Sequence, residues 1–308
     1  MKLIFSGTSN PELAKKIASL LDTELQPLTI EKFKDGEILP RFDRSIRNQE
    51  IYLVQSGNSS DSIIETILIL DAAKRCGAKV NLICSYYPYS RQDKVDHIRS
   101  SIGSAAMARM FETFDLNRII CVDLHNSAIQ GFFSKAEVVH LNGGKIFVDY
   151  FKKMNLQDVT ILSPDQGGMV RATQFAKFFD NCQIAVINKK RVRPNEVHSM
   201  ELVGNVKDRN VIIIDDMCDT AGTLKKAADL IHENGAKSIY AVATHGLFSG
   251  NAIENIETSH LTKMVVSDSI NLQNKRSPKI DVISCSGLIA SCIDRLDKKI
   301  SIDELNKV

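Results

Sequence analysis

The sequence predicts an α/β protein made of two doubly wound, parallel-sheet domains. Short β-branched runs alternate with longer amphipathic ones along the whole chain, as strand–helix units that build parallel sheets do. The apolar runs are nearly unbroken and bounded by turn residues, which suits strands covered on both faces. The pattern also runs twice, with a seam near "LNGGKIF" at 141–147, in a chain of 308 residues. That length favours two domains of ordinary size. The expected boundaries are 1–142 and 143–308.

In the first half the expected strands are "KLIFSG" (2–7), "EIYLVQS" (50–56), "KVNLICSYY" (79–87) and "RIICVDLH" (118–125). In the second they are "VTILSPD" (159–165), "QIAVINK" (183–189), "NVIIIDDM" (210–217), "SIYAVATH" (238–245), "KMVVSDS" (263–269) and "IDVIS" (280–284). Helices are expected between them. "NPELAKKIASLLD" offers Asn10 as a cap and Pro11 at the first helical position. "DSIIETILILDAAKRCG" offers Asp61 as a cap, Ile63, Ile64, Ile67 and Leu68 at helical spacing, and Gly77 as a stop. "TAGTLKKAADLIHENG" ends in the same way at Gly235.

Composition excludes several classes. Hydrophobic residues make up 44% and charged ones 25%, ordinary values for a folded domain rather than a disordered chain. The net charge of +2 gives no global bias toward nucleic acid or an anionic membrane. No apolar run reaches the ~18–20 residues of a membrane span, and "MKLIFSGTSN" turns polar too soon for a signal peptide. The seven cysteines are odd in number and lack CxxC spacing, so they read as free thiols of a reducing, cytoplasmic compartment.

Many expected strands finish on a polar group: Asp123 and His125, Asp165, Lys189, Asp215 with Asp216, and His245. Ligands of open α/β sheets collect beyond the carboxyl ends of strands. The most informative end is "VIIIDDMCDTAGTL" (211–224). The strand is expected to stop near Asp216 and a helix to begin near Thr223, with Gly222 permitting a tight turn. Amides of that helix start, with the Thr220 and Thr223 hydroxyls, make a cradle for a phosphate. Carboxylates repel a phosphate, so Asp215 and Asp216 need another partner. Vicinal hydroxyls fit, reached directly or through a cation, and a sugar phosphate supplies both kinds of group.

This segment resembles the phosphoribosyl-diphosphate motif of type I phosphoribosyltransferases. Alone it does not separate those transferases from the enzyme that makes their donor. "FKDGEI" (33–38), "YYPYSRQDK" (86–94), "VDLHNSAIQGFF" (122–133), "LSPDQGG" (162–168) and "THGLFSG" (244–250) each resemble the ribose-phosphate pyrophosphokinase family, and they come in the right order. The resemblance runs from about residue 3 to about residue 300. It implies type I phosphoribosyltransferase-like architecture in both halves. No GxxxxGK[ST] occurs, so the chain is not a P-loop kinase.

The resemblance implies the following roles. Phe33, Asp35, Gly36, Glu37, Arg91 and Gln92 hold ATP, with Phe33 and Arg91 on the two faces of adenine. The FKDGE loop serves a neighbouring subunit, so the protein is a homo-oligomer, a hexamer built from dimers. His125 and Asp165, with Asp123, hold Mg²⁺. Lys189 and Arg191, in "KKRVRP" (189–194), belong to a mobile catalytic loop and neutralise the transferring phosphates. Arg191, Asp215, Asp216, Asp219, Thr220, Ala221, Gly222 and Thr223 bind ribose 5-phosphate. The implied reaction moves the diphosphate of MgATP to the 1-hydroxyl of ribose 5-phosphate and releases AMP. Nucleic acid and membrane are not partners.

Some segments depart from the family pattern. An Asp-containing segment usually follows "QGFF"; here it is "SKAEVV", which lacks carboxylates for a second cation unless Glu137 substitutes. Ser45 and Arg47 match positions near a phosphate effector site. Two other readings stay open: a non-catalytic subunit of the same family, and a phosphoribosyltransferase. The first is expected to disturb His125, Asp165, Lys189 or Arg191, all present here. The second needs one domain of roughly 200 residues, near the upper end of ordinary domain sizes, and has no use for FKDGE or RQDK.

Overall fold

The unbroken apolar runs pair in parallel, as burial on both faces requires. The structure, a computed structural model, describes residues 2–193 and 196–306, with side chains described outside 189–199. It divides into two compact units. One runs to Asn142 and takes in Ser269–Asn271 and Ser284–Leu305; the other holds Gly143–Asp268 and Leu272–Ile283. The fold class is the expected one. The division is not contiguous, however: 284–305, placed by the sequence reading in the second domain, joins the first unit.

In the first unit the described strands are β1 (Leu3–Ser6), β2 (Leu28–Lys32), β3 (Ile38–Phe42), β4 (Glu50–Gln55), β5 (Lys79–Cys84), β6 (Arg118–Val122) and β7 (Glu137–Leu141). Five form a parallel sheet in the order β1-β4-β5-β6-β7, while β2 and β3 form a separate antiparallel ribbon. Helices α1 (Pro11–Leu20), α2 (Ser60–Arg75) and α3 (Gly103–Glu112) accompany them. Asn10 caps α1 by accepting the Leu13 N–H, as expected. The cap of α2 is Ser59, two residues before the expected Asp61, in a reciprocal capping box with Ser62. A hydroxyl at this position reaches the third amide of the helix, which leaves Asp61 in the first turn, where its charge suits the helix dipole.

The second unit carries β8 (Val159–Ser163), β9 (Gln183–Arg193), β10 (Glu196–Val203), β11 (Asn210–Cys218), β12 (Ser238–Gly246), β13 (Lys263–Ser267) and β14 (Ile280–Ile283). Their order is β10-β9-β8-β11-β12-β13-β14, parallel except for the antiparallel β9–β10 pair. The order reverses between β8 and β11. Helices α4 (Val148–Lys153) and α5 (Met169–Ala176) contribute to one core cluster, and α6 (Gly222–Glu233) and α7 (Ala252–Glu257) to another. Along β11, Ile212 and Ile214 enter the first cluster and Val211 and Ile213 the second. Both faces of this strand are therefore dry, which explains its all-apolar run.

The last long helix, α8 (Ser286–Asp297), packs against α1. Asp297 accepts the Tyr52 hydroxyl at 2.6 Å, and Lys2 pairs with Asp294 at 2.9 Å. These contacts fasten 284–305 to the first unit.

The unusual "SKAEVV" segment is organised by Glu112, the last residue of α3. This carboxylate accepts N–H groups from Ser134 (2.9 Å), Lys135 (2.6 Å) and Ala136 (2.9 Å), and the Ser134 hydroxyl at 3.0 Å. Burial pushes the carboxyl up, but these four donors outweigh it and hold it below the usual range. A depressed carboxyl stabilises the fold above its unfolded pKa, and that stability is lost as pH falls through the folded value. Glu112→Ala leaves the donors of exposed Ser134 and Lys135 to water but strands the N–H of buried Ala136, and is expected to cost about 1–3 kcal/mol in denaturant unfolding at neutral pH. The deficit relative to wild type should shrink in acid. An equal deficit at both pH values would mean that the carboxylate charge is not what holds the segment.

Candidate active site

The reversal of strand order between β8 and β11 opens a crevice at their carboxyl ends, the usual ligand position in such sheets. Past β8, Asp165 is half-buried and folds its own turn: it accepts the Gly168 N–H at 3.0 Å, and its carbonyl accepts the Ser163 hydroxyl at 2.6 Å. A Cβ on Gly168 would lie 2.7 Å from the Ser163 Oγ, so this turn has no room for a side chain there.

At the end of β11, Asp215 and Asp216 are adjacent. Asp216 is buried, its side chain 3% exposed, whereas that of Asp215 is 41% exposed. The Asp216 N–H donates to Asp215 Oδ1 at 2.9 Å. Burial, then the neighbouring Asp216 charge, raises the Asp215 carboxyl well above the usual carboxylate range. Arg171, on the first turn of α5, opposes this from 3.8 Å on Asp215 and 3.5 Å on Asp216.

Residues 219–223 then turn into α6. Ala221 takes a left-handed conformation (φ 57°), and among the described residues no side chain caps the helix start. Thr220 and Thr223 are exposed. The helix begins one residue earlier than the sequence reading placed it. The "THGLFSG" segment supports the turn. Leu247 and Phe248 donate N–H groups to the Cys218 carbonyl at 2.9 and 3.2 Å, Ser249 donates to the Asp219 carbonyl at 3.0 Å, and Asn255 Nδ2 reaches the Thr220 carbonyl at 2.9 Å. The sequence assigned this motif no task; in the structure it braces the turn at 218–220.

Lys189 and Arg191 lie in β9, opposite Met200 and Val197 of β10. Their side chains fall outside the described residues. The backbone is a strand through Arg193 rather than a loop beginning at Lys189, because β10 supplies an antiparallel partner that the sequence reading did not include.

In the first unit, "FKDGE" is the turn between β2 and β3. Phe33 exchanges backbone bonds with Glu37 (2.8 Å) and Gly36 (3.0 Å), and Asp35 Oδ1 accepts the Glu37 N–H at 3.1 Å. Gly36 has φ 98°, a conformation that favours glycine. The ring of Phe33 is 44% exposed, and Asp35 and Glu37 are exposed as well. Arg91 and Gln92 are exposed; the Gln92 carbonyl accepts the Ser104 N–H and hydroxyl at 3.2 and 2.9 Å.

The placement of Asp123 and His125 on one strand face needs correction. β6 ends at Val122, and Asp123 is left-handed (φ 47°), so the two-residue alternation has already stopped. Asp123 is buried and His125 exposed. Glu137 is not available as a substitute cation ligand. It begins β7 at the amino-terminal edge of the sheet, where its carboxylate binds Arg118 at 2.7 Å. Among the described residues no three His, Cys, Asp or Glu side chains are grouped to hold a metal ion. Likewise, among the described residues no helix is long and apolar enough to cross a membrane.

Comparison with known proteins bears on the whole chain. The N-terminal domain of ribose phosphate pyrophosphokinase matches residues 2–114, and the phosphoribosyl synthetase-associated domain matches 179–307. A ribose-phosphate pyrophosphokinase of Fusobacterium nucleatum is 40% identical over 98% of this chain and 97% of its own. That of Bacillus subtilis is 40% identical over 98% and 96%. A crystal structure of phosphoribosylpyrophosphate synthetase from Mycobacterium smegmatis has a TM-score of 0.90 and 33% identity, covering 96% of this chain and 99% of that one. Sequence and fold thus agree from end to end, and the chain belongs to the ribose-phosphate pyrophosphokinase family.

Proposed function

We propose that this chain is a working ribose-phosphate diphosphokinase, with the reactive groups assigned residue by residue as follows. The near-full-length relationship to enzymes of that name carries the reading. The 1-hydroxyl of ribose 5-phosphate attacks the β-phosphorus of ATP, a diphosphate group passes to the sugar, and AMP leaves. The helix start at Gly222 and Thr223, with Thr220 and Ala221, binds the 5-phosphate, since uncapped amides and a helix dipole favour an anion. Asp215, Asp216 and Asp219 accept hydrogen bonds from the ribose hydroxyls. Lys189 and Arg191 neutralise charge that builds on the transferring phosphates. Phe33 and Arg91 stack on adenine, and Asp35, Gly36, Glu37 and Gln92 complete its pocket.

Mg²⁺ fits the donors present. It keeps most of its water and takes one or two protein groups beside substrate phosphates, rather than a dedicated cage. Asp165, half-buried at a strand end, supplies a hard oxygen of that kind, with His125 and Asp123 as the other assigned groups. When bound, the ion screens phosphate charge. The exposed FKDGE turn supports a homo-oligomer, a hexamer built from dimers, in which this turn completes a neighbour's adenine pocket. All seven cysteines are free thiols, in keeping with work in the cytoplasm.

A non-catalytic subunit is disfavoured by the presence of His125, Asp165, Lys189 and Arg191 together. The test is AMP release from ATP with Mg²⁺, with and without ribose 5-phosphate. AMP should form only when the sugar is added and should vanish with a chelator. AMP formation indifferent to the sugar, or none under any condition, would overturn the assignment.

A further inference from the structure

Arg171 belongs to none of the motifs above, yet it stands where two acids meet. It follows the Gly167–Gly168 turn on the first turn of α5, with its side chain 21% exposed. Its Nη1 lies 3.8 Å from Asp215 Oδ1 and 3.5 Å from Asp216 Oδ1. These are ion-pair separations, too long for tight hydrogen bonds. One cation thus faces two carboxylates on successive strand residues, one of them buried. From this geometry we infer that Arg171 is a positioning residue for the sugar: it faces both carboxylates of the Asp215–Asp216 pair, favours their ionised form and keeps them aimed at the ribose hydroxyls. The inference rests on the assignment of that pair to ribose 5-phosphate.

Two carboxylates in one site do not ionise independently; the second proton leaves only at cost. Several other titratable groups lie around Asp215. Asp216 and Asp219 lie on the same segment. The Cys218 thiol is itself pushed up to about 12 by burial, and then by Asp215 and Asp219. His245 of β12 pairs in register with Met217, and Asp165 follows β8. On the α5 side the cation is Arg171. A carboxylate accepts from a diol at both oxygens, whereas a protonated carboxyl must donate through one. Loss of charge therefore weakens the grip on the sugar, not on the nucleotide.

The sign follows directly. An opposite charge at this range lowers a carboxyl pKa by roughly one unit or more, so removing it raises the pair further. In the full-length enzyme, Arg171→Gln should move the acid limb of the KM profile for ribose 5-phosphate upward by about one pH unit or more. The KM for ATP should change little. Arg171→Lys should restore most of the profile, because it restores the charge. Arg171→Met serves as a second neutral variant. A folded neutral variant with an unmoved limb would overturn the inference, as would Lys and Gln profiles displaced alike. If neither neutral variant folds while the Lys variant does, the role is packing and the inference also falls. Asp215→Asn is measured alongside. A raised sugar KM in that variant, with Arg171 variants unshifted, removes only the positioning role. An unchanged sugar KM in Asp215→Asn removes the sugar assignment itself, and the inference with it.

Discussion

Lys189→Ala is expected to lower turnover about a thousandfold or more and to leave the fold intact, the usual cost of removing a cation from a phosphoryl-transfer site. The effect belongs to the transition state. The substrate phosphates are already charged in the ground state, but charge shifts toward the bridging oxygens as the bond breaks. A cation placed for that shift lowers the barrier more than it strengthens binding. The KM values should therefore move far less than kcat. Residue 189 pairs across to Met200 in the antiparallel β9–β10 ribbon, and an alanine leaves that backbone pairing possible. Thermal unfolding should accordingly match wild type. Turnover close to wild type in the folded variant would remove Lys189 from the mechanism.

Mixing two inactive variants is expected to recover activity. Glu37→Ala disables a turn assigned to a neighbour's adenine pocket, and Lys189→Ala disables the transfer step. If the pocket is shared, each variant still supplies the half the other lacks. Mixed oligomers then contain some sites with both halves intact. In a closed symmetric dimer contact, about a quarter of randomly mixed sites would combine the two sound halves. Co-expression should bring back activity of that order, with each variant dead alone. Verified mixed oligomers that stay dead would show that the FKDGE turn serves its own subunit, and the shared pocket would have to be abandoned.

Much of the fold was legible because β-branched runs with turn residues at both ends declare buried parallel strands. "VIIIDD" is the clearest case: both faces are dry through Ile214, although the strand runs past the two acids to Cys218, still paired with β12, rather than stopping near Asp216. The hairpin 28–42 was not legible. Each arm is only five residues long: Leu28, Ile30 and Phe42 turn toward the first core while Thr29, Glu31, Lys32, Leu39 and Arg41 stay exposed, so the alternation is brief, and Pro40 interrupts the second arm. The β10 strand escaped for a related reason: its partner run begins among the charges of "KKRVR". In the site, the turn that we assign to the phosphate could be picked out from local chemistry, since Thr-Ala-Gly-Thr lies on one short stretch. Arg171 could not. It meets Asp215 and Asp216 only through the fold, 44 and 45 residues away in sequence, and an arginine at that point of a helix looks like any solvated charge. Asp123 shows the opposite error, a periodicity extended to His125, two residues past the place where the backbone changes hand.

The contacts of α8 have a consequence for how the chain is made. Lys2, Asp294, Tyr52 and Asp297 meet in one unit, and everything from Gly143 to Asp268 is threaded between them. Synthesis runs from the amino terminus at roughly 5–20 residues per second, and domains fold as units as they emerge. The first sheet leaves the ribosome early, but the helix that packs on α1 arrives only after the entire other unit has been translated. The later-born unit is thus in place first, and the earlier one is sealed only by residues translated after it.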